Sequence, residues 1–477
     1  MSITLKEIGS RIQAFFNESV ESVARKTKFV ERASKLTGNK FLQALVFNSL
    51  EKPEMTLSSM SQSLLDLGVT ISPQGIDDRI DESSVSFLRE LFGQAAQRFQ
   101  LNEPLAVKLL EQFSAVYLID STQISLPATM AKLFPGSGGN ASSASLKIQL
   151  VFDYLCGHLE QVELKNGCEP DQGYRGHWGI IHKGALLIMD LGYFALDTFK
   201  QISDQQGYFL SRFQSQTGLL TPSGEPLALT QLLTAQTEAM AETAVRIGNR
   251  QQHQIPCRLI MLRLPQEAAD RQRQKAKENA RRHGRTVTQA YLKLLDWALF
   301  VTNVPATMLH TEHVAALYRI RWQIELVFKL CKSFCGLAHV AALRPQRILT
   351  ELYARLIGLV LTYFLIAPLR LPYAANANRE ISPLKVRLIF QRFARFWALT
   401  LHDTTAFLAS LRHFFSHLLH SGFKQNRKKS PNAIHALALI SACYGWGEDD
   451  PAHAAFADCL SFDLSLHDPS HLPFSHT

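Results

Sequence analysis

Cysteine is scarce and scattered: seven residues, at 156, 168, 257, 331, 335, 443 and 459, with no Cys-x-x-Cys pair among them. An odd, dispersed set excludes a disulfide scaffold and points to a reducing cytoplasm. Long hydrophobic runs are also missing. The longest, Leu356 to Leu369, is 14 residues between Arg355 and Arg370, too short for a membrane span and suited to a buried helix. The N-terminal Met-Ser-Ile-Thr-Leu-Lys-Glu has none of the basic-then-apolar layout of a signal peptide. Pro135 to Asn140 is glycine-rich, but no Gly-Lys-Ser/Thr follows it, so it is a flexible loop rather than a phosphate-binding one. No fixed-period repeat and no extended low-complexity segment occurs. From Ser430 to Thr477 there is no Lys or Arg against six Asp/Glu. That tail reads as a frayed or interacting segment and not as a polyanion contact.

What the chain does have is a soluble composition and a modest excess of positive charge. With 477 residues, 46% hydrophobic and 19% charged, it is too long for one core and suggests two to four domains. The net charge is +9, which favours a polyanionic partner. Residues 215 to 310 alone hold 12 Lys/Arg against 7 Asp/Glu, largely through the basic helix Arg271 to Arg285, which carries Arg271, Arg273, Lys275, Lys277, Arg281 and Arg282. Backbone contact with nucleic acid is the reading favoured here over a merely solvated charged face. Residues 1 to 40 add eight basic against four acidic side chains.

The first hundred residues read as helices. Thr56 to Leu67 is amphipathic, Gly68-Val-Thr breaks it, and Ser72-Pro73 fits the cap and first position of a second helix through Arg79. This is the outline of a helix-turn-helix, or of any αα-hairpin. Strands follow. Ala115-Val-Tyr-Leu-Ile-Asp120 and Ala185-Leu-Leu-Ile-Met-Asp190 are short apolar strands, each ending in a carboxylate. Such an aspartate faces a ligand, a metal or a capping interaction. Leu146 to Tyr154 and Leu159 to Leu164 make an antiparallel pair around Gly157, and Tyr208 to Phe213 is a further strand with Arg212 near its end. The polar, aromatic stretch from Asp171 to His182 fits a helix. Ala244 to Ile247, Cys257 to Leu264 and Trp297 to Asn303 return as strands.

Leu317 to Lys332 is the stretch that organises the rest. Leu317, Ile320, Ile324, Val327, Phe328, Cys331, Phe334 and Cys335 recur at helical spacing. At roughly 100° per residue, Tyr318, Arg321, Glu325 and Lys332 then fall in one polar stripe roughly 21 Å long. Lys332 stands about 10 Å beyond Glu325 along the axis, too far to share a metal with it. Ordinary i,i+4 salt bridges on a solvated face account for the same geometry.

The spacing Tyr-x2-Arg-x3-Glu-x6-Lys resembles the YREK signature of the insertion-sequence-four family of bacterial DDE transposases. Asp120-Ser-Thr with Leu126-Pro127 resembles the family's first aspartate motif, Asp190-Leu-Gly its second, and Leu36 to Phe47 its N-terminal region. The resemblance implies an α/β, RNase H-like mixed-sheet core with a β-rich insertion and helical N- and C-terminal regions. It divides the chain into a helical DNA-binding region (1–112), the first part of the core (113–214), a β-rich insertion with its basic helix (215–305), the signature helix (306–345) and a helical C-terminal region with the acidic tail (346–477). It implies a transposase that cuts at transposon ends and transfers strands to target DNA. Asp120, Asp190 and Glu325 would hold two Mg²⁺ ions, with Mn²⁺ as a substitute, Asp120 bridging both. Tyr318, Arg321 and Lys332 would grip phosphates, with Arg212 and Lys147 nearby. Trp297 would stack on an unpaired base or sit in the core. The partners implied are double-stranded DNA, as terminal inverted repeats and target, and a second copy of the chain in the DNA complex, with no membrane and a cytoplasmic, nucleoid-associated location. A domesticated DNA-binding protein and a two-metal nuclease without strand transfer share the scaffold.

Overall fold

The computed structural model describes residues 3–424, except positions 19, 53, 102–103, 106, 139–141, 250–252, 335–343 and 375–379; for 333–334 and 371–374 it describes the backbone alone. The expectations for Cys335, the loop tip before Ala141 and the acidic tail lie outside the described residues. The chain divides into two compact units.

The first unit joins Met1–Ala106, Ala115–His177 and Arg321–Asn426. Its strands β1 (Ala115–Leu126), β2 (Ala144–Asp153) and β3 (His158–Asn166) form an antiparallel meander, with β2 central. Along β1 the run from Ala115 to Ile119 is fully buried. Asp120 and Ser121 are half-buried, and alternation begins beyond them. The buried stretch therefore ends at the carboxylate, as its charge requires. The turn from β2 to β3 passes through Gly157 at φ +78, a conformation that glycine adopts without strain.

Around the meander are helices. Pro345–Ala374 is the longest, and packs against Gly38–Glu51 and Glu82–Arg98. Its Pro345–Arg370 part is long and apolar enough to cross a membrane, but 94% of the most apolar window is buried inside the protein. It is a core helix, as the flanking arginines lead one to expect. The helix Gly38–Glu51 starts on Thr37, whose side chain accepts from the Lys40 amide at 3.2 Å. A Cβ at Gly38 would lie 2.6 Å from that of Ala24, so only glycine permits this approach. At the other end, the fully buried Arg387 donates to the carbonyls of Ser49 (3.0 Å) and Leu50, and Gln391 donates to that of Glu51 (3.1 Å). These side chains satisfy carbonyls that a helix leaves unpaired, with a cation at the negative end of the dipole.

The helix pair expected between Thr56 and Arg79 is Leu57–Asp66 followed by only Pro73–Asp77. Arg344 closes the second helix early, donating to Asp77 Oδ2 at 2.6 Å and to the Ile80 carbonyl at 2.9 Å. Five residues make little more than one turn, too short to lie along a major groove as a recognition helix does.

The second unit contains Val107–Ser114 and Trp178–Ile320. Strand β4 (Ala185–Met189) is buried throughout and runs parallel to β5 (Tyr208–Arg212), with the helix Leu196–Asp204 between them in sequence. Then β6 (Leu219–Leu220), β7 (Met240–Ile247), β8 (Ile255–Arg263) and β9 (Trp297–Thr302) complete a sheet in the order β4-β5-β9-β8-β7-β6. The insertion is β-rich as expected, and its strands extend this sheet, because β9 pairs with both β5 and β8. The described residues are mixed α/β, with antiparallel and parallel strand pairs, as expected.

Two further elements differ from their sequence reading. Asp171 to His182 is a pair of short 3-10 turns, Asp171–Gly173 and Gly176–Ile180, since Pro170 and the glycines at 173, 176 and 179 deny it a helix. The organising stretch is not one even helix. Val314–Arg319 gives way to Trp322–Lys329 through i,i+3 bonds, Ile320 to Leu317 and Ile324 to Arg321, and Leu330–Phe334 continues as a π-helix.

Candidate active site

In the first unit the chemistry gathers where β1 leaves the core. The amide of Ser121 donates to Asp120 Oδ1 at 2.8 Å. The other oxygen, Oδ2, accepts from Arg321 Nη1 at 2.7 Å. The same Nη1 lies 3.6 Å from Glu325 Oε1, one helical turn further on. The helix Trp322–Lys329 packs against β1, and its Ile324, Val327 and Phe328 are buried. One guanidinium thus stands between two carboxylates that the chain supplies 205 residues apart.

Lys332 belongs to the same place. Burial pushes its ammonium below the usual lysine range, and Glu325 pulls it back. Glu325 therefore acts on Lys332 through its charge, across a separation that an even helix would set at about 10 Å along its axis. The π-helical stretch changes the rotation of every later residue and so redraws the stripe.

Behind Asp120 lies a group that sequence reading did not single out. Asp171 Oδ1 accepts from Ser121 Oγ (2.8 Å), Gln149 Nε2 (2.9 Å) and Lys147 Nζ (3.1 Å), and Lys147 also donates to the Glu169 carbonyl. Ser121 and Gln149 are cross-strand partners on β1 and β2. Three donors therefore fix Asp171, which in turn holds Ser121, the residue next to Asp120.

In the second unit Asp190 follows the last residue of β4 and precedes the 3-10 turn Leu191–Tyr193. Tyr318 Oη donates to Asp190 Oδ1 at 3.3 Å, and its ring meets Phe300 of β9 edge-on at 5.1 Å. Arg212 ends β5 opposite Phe300, half-buried.

Four residues expected to meet DNA are interior. Tyr318 is 3% exposed, Lys147 and Trp297 6%, and Arg321 8%. Their polar ends serve the protein: Tyr318 and Arg321 hold aspartates, Lys147 pairs with Asp171, and the Trp297 ring carries the Arg263 guanidinium 4.8 Å from its centroid. On the helix Gln266–Arg282, Arg271, Lys277, Arg281 and Arg282 are exposed and Lys275 is half-buried. Arg273 is paired with both Asp270, at 2.7 Å, and Asp296.

The description "Transposase DDE domain" matches residues 111–361, more than half of the chain and both of its units. The chain belongs to the DDE transposase family. As a DDE transposase it is a metal-using enzyme that acts on DNA, and its relatives come from insertion elements, as the insertion-sequence-four resemblance implies. The transposase for insertion sequence element IS231F of Bacillus thuringiensis subsp. israelensis is 26% identical over 444 residues, 89% of this chain and 93% of that protein. The IS1151 transposase of Clostridium perfringens is 26% identical over 467 residues, 92% and 98% of the two chains. The putative transposase InsL for IS186A of Escherichia coli K12 is 35% identical over 131 residues, 27% of this transposase and 35% of that one. Among solved structures, a piggyBac transposase synaptic complex with hairpin DNA overlaps it with a TM-score of 0.44 at 10% identity, covering 88% of this chain and 86% of that chain.

Proposed function

We propose that this transposase cuts DNA at the ends of its element and joins the freed strands to target DNA, with Asp120, Asp190 and Glu325 as catalytic carboxylates. The observation that carries the reading is the convergence of Asp120 and Glu325 on one guanidinium. Carboxylate oxygens from different elements, turned toward one positive group, are the donors that a hard cation needs. Asp120, Asp190 and Glu325 would hold a pair of Mg²⁺ ions, or Mn²⁺ in their place. Bound there, the ions would supply an activated oxygen nucleophile and charge stabilisation at the leaving oxygen.

The chain's own groups do the positioning. The Ser121 amide and Arg321 hold the two oxygens of Asp120 in one orientation, and Asp171 steadies Ser121 from behind. Tyr318 orients Asp190. Lys332 offers a cation to a phosphate flanking the scissile one. Arg212, the half-buried Lys275 and the exposed Arg271, Lys277, Arg281 and Arg282 meet the DNA backbone, whose affinity for them falls with salt. The substrates are terminal inverted repeats and target duplex, handled by a homodimer in the cytoplasm at the nucleoid, since two ends must be joined in one event.

The test is Asp120→Asn, Asp190→Asn and Glu325→Gln, each assayed on duplex DNA that carries the element's ends. Nicking in Mg²⁺ is lost in all three, while gel-shift binding is retained. Cleavage near the wild-type rate by any of them removes that residue from the set. Joined as well as cleaved products from the unaltered chain distinguish a transposase from a nuclease.

A further inference from the structure

A second cluster of ligating side chains lies at the turn from β2 to β3, in the first unit. One ligand atom each from Asp153, Cys156 and His158 lies within 4.8 Å of the others. Asp153 pairs in register with Tyr117 and Leu150 with Asp120. Three residues of strand, roughly 10 Å, therefore separate this cluster from the catalytic aspartate. We propose that Asp153, Cys156 and His158 form a zinc-type cation site that staples the β2–β3 turn.

His158 gives the strongest indication. It is 6% exposed, Nε2 lies 2.9 Å from Glu160 Oε2, and Nδ1 is buried with no hydrogen-bond partner. With its proton on Nε2 donated to Glu160, the imidazole leaves the Nδ1 lone pair free to bind a cation. A carboxylate behind a ligating histidine fixes the tautomer in the same way in known metal sites. A buried ring nitrogen left unmatched would otherwise cost free energy.

The donors select the ion. Carboxylate, thiolate and imidazole suit zinc, whereas magnesium takes oxygen alone. The spacing Asp-x2-Cys-x-His needs the chain to fold back sharply, and Gly157 supplies that bend. Charge also balances. Asp153, Glu160 and a Cys156 thiolate oppose a divalent ion and Arg370, which donates to the Tyr154 carbonyl at 2.7 Å and lies over that ring. Without an ion, burial pushes the Cys156 thiol up to about 12 and Asp153 above the usual carboxylate range. Binding therefore releases the thiol proton to solvent and forms the sulfur–metal bond in its place.

The experiment uses the full chain carrying Asp120→Asn, stripped with chelator, loaded with Zn²⁺ and desalted. About one equivalent of zinc is expected to remain, with the Co²⁺-loaded protein showing a thiolate charge-transfer band. Cys156→Ser and His158→Gln should each weaken Zn²⁺ binding at least tenfold, and Glu160→Gln by about tenfold or more through the loosened imidazole. Cys168→Ser should leave it unchanged. Absence of retained zinc, absence of the cobalt band in the chain with all cysteines intact, or full retention in the Cys156→Ser, His158→Gln double variant would overturn the proposal. The cobalt spectrum needs no substitution at the turn, so the test survives a variant that fails to fold.

Discussion

Arg321 Nη1 donates to Asp120 Oδ2 at 2.7 Å, so the arginine of the organising stretch spends its charge on the first aspartate. With Glu325 3.6 Å from the same nitrogen, the guanidinium holds together two carboxylates that would otherwise repel.

Removing that cation should destabilise the metal-free protein. Arg321→Gln is expected to lower unfolding free energy by about 1.5–3 kcal/mol, the value of a charge-assisted hydrogen bond between largely buried partners. Added Mg²⁺ should recover part of the loss. Urea unfolding with EDTA and with Mg²⁺ measures both, and equal stability of variant and wild type in EDTA would show that the pair contributes nothing.

Lys332 should behave oppositely. Its folded-state pKa is depressed by burial. The folded chain therefore binds the proton less tightly than the unfolded chain does. The penalty is fully present below the folded pKa and fades as pH rises toward the unfolded value near 10.5. Lys332→Met should raise the melting temperature at pH 7 without DNA, by less at pH 10, while cleavage falls. A lower melting temperature at pH 7 would mean that attraction to Glu325 outweighs burial.

For the basic helix the measurement is the salt dependence of DNA binding. Neutralising Arg271, Lys277, Arg281 and Arg282 together should flatten the log-log slope by about 0.9 for each phosphate that these side chains neutralise in the wild type. Arg273→Gln should change that slope little, because Asp270 and Asp296 already neutralise the guanidinium. A slope unaltered by the fourfold variant returns the helix to a solvated surface.

Asp171 supports the site from behind, and its loss should show in folding first. Asp171→Asn leaves Lys147 buried beside a neutral amide, at a cost of about 3 kcal/mol. Adding Lys147→Met should restore much of it, since the stranded charge disappears. Additive effects in this double-mutant cycle would mean that the two residues do not act as a pair.

Both aspartates were legible because each follows an apolar run of five residues; Asp190 does close its strand, whereas β1 continues beyond Asp120 to Leu126, since its pairing with β2 outlasts the buried stretch. Glu325 was legible through spacing on a helix. The break in that helix was not, because Ile320 and Arg321 are ordinary helix residues and the change is made by packing, with no proline or glycine to announce it. Lys147 alternates with Leu146 and Ile148 like any solvated strand residue. Its burial comes from the Glu169–Asp171 segment lying over it, a contact between positions 24 residues apart that no local pattern encodes. The short second helix of the N-terminal pair depends in the same way on Arg344, 267 residues later.

Arg387 carries a consequence for how the molecule is made. The carbonyls at the end of the helix Gly38–Glu51 wait for a guanidinium that the ribosome adds 337 residues later. Until then the N-terminal helices expose polar ends that only water can satisfy, and the part of the chain synthesised first is among the last to be finished. A nascent or truncated chain ending before Arg387 therefore lacks the contact that seals its own beginning, which couples completion of the N-terminal helices to synthesis of nearly the whole protein.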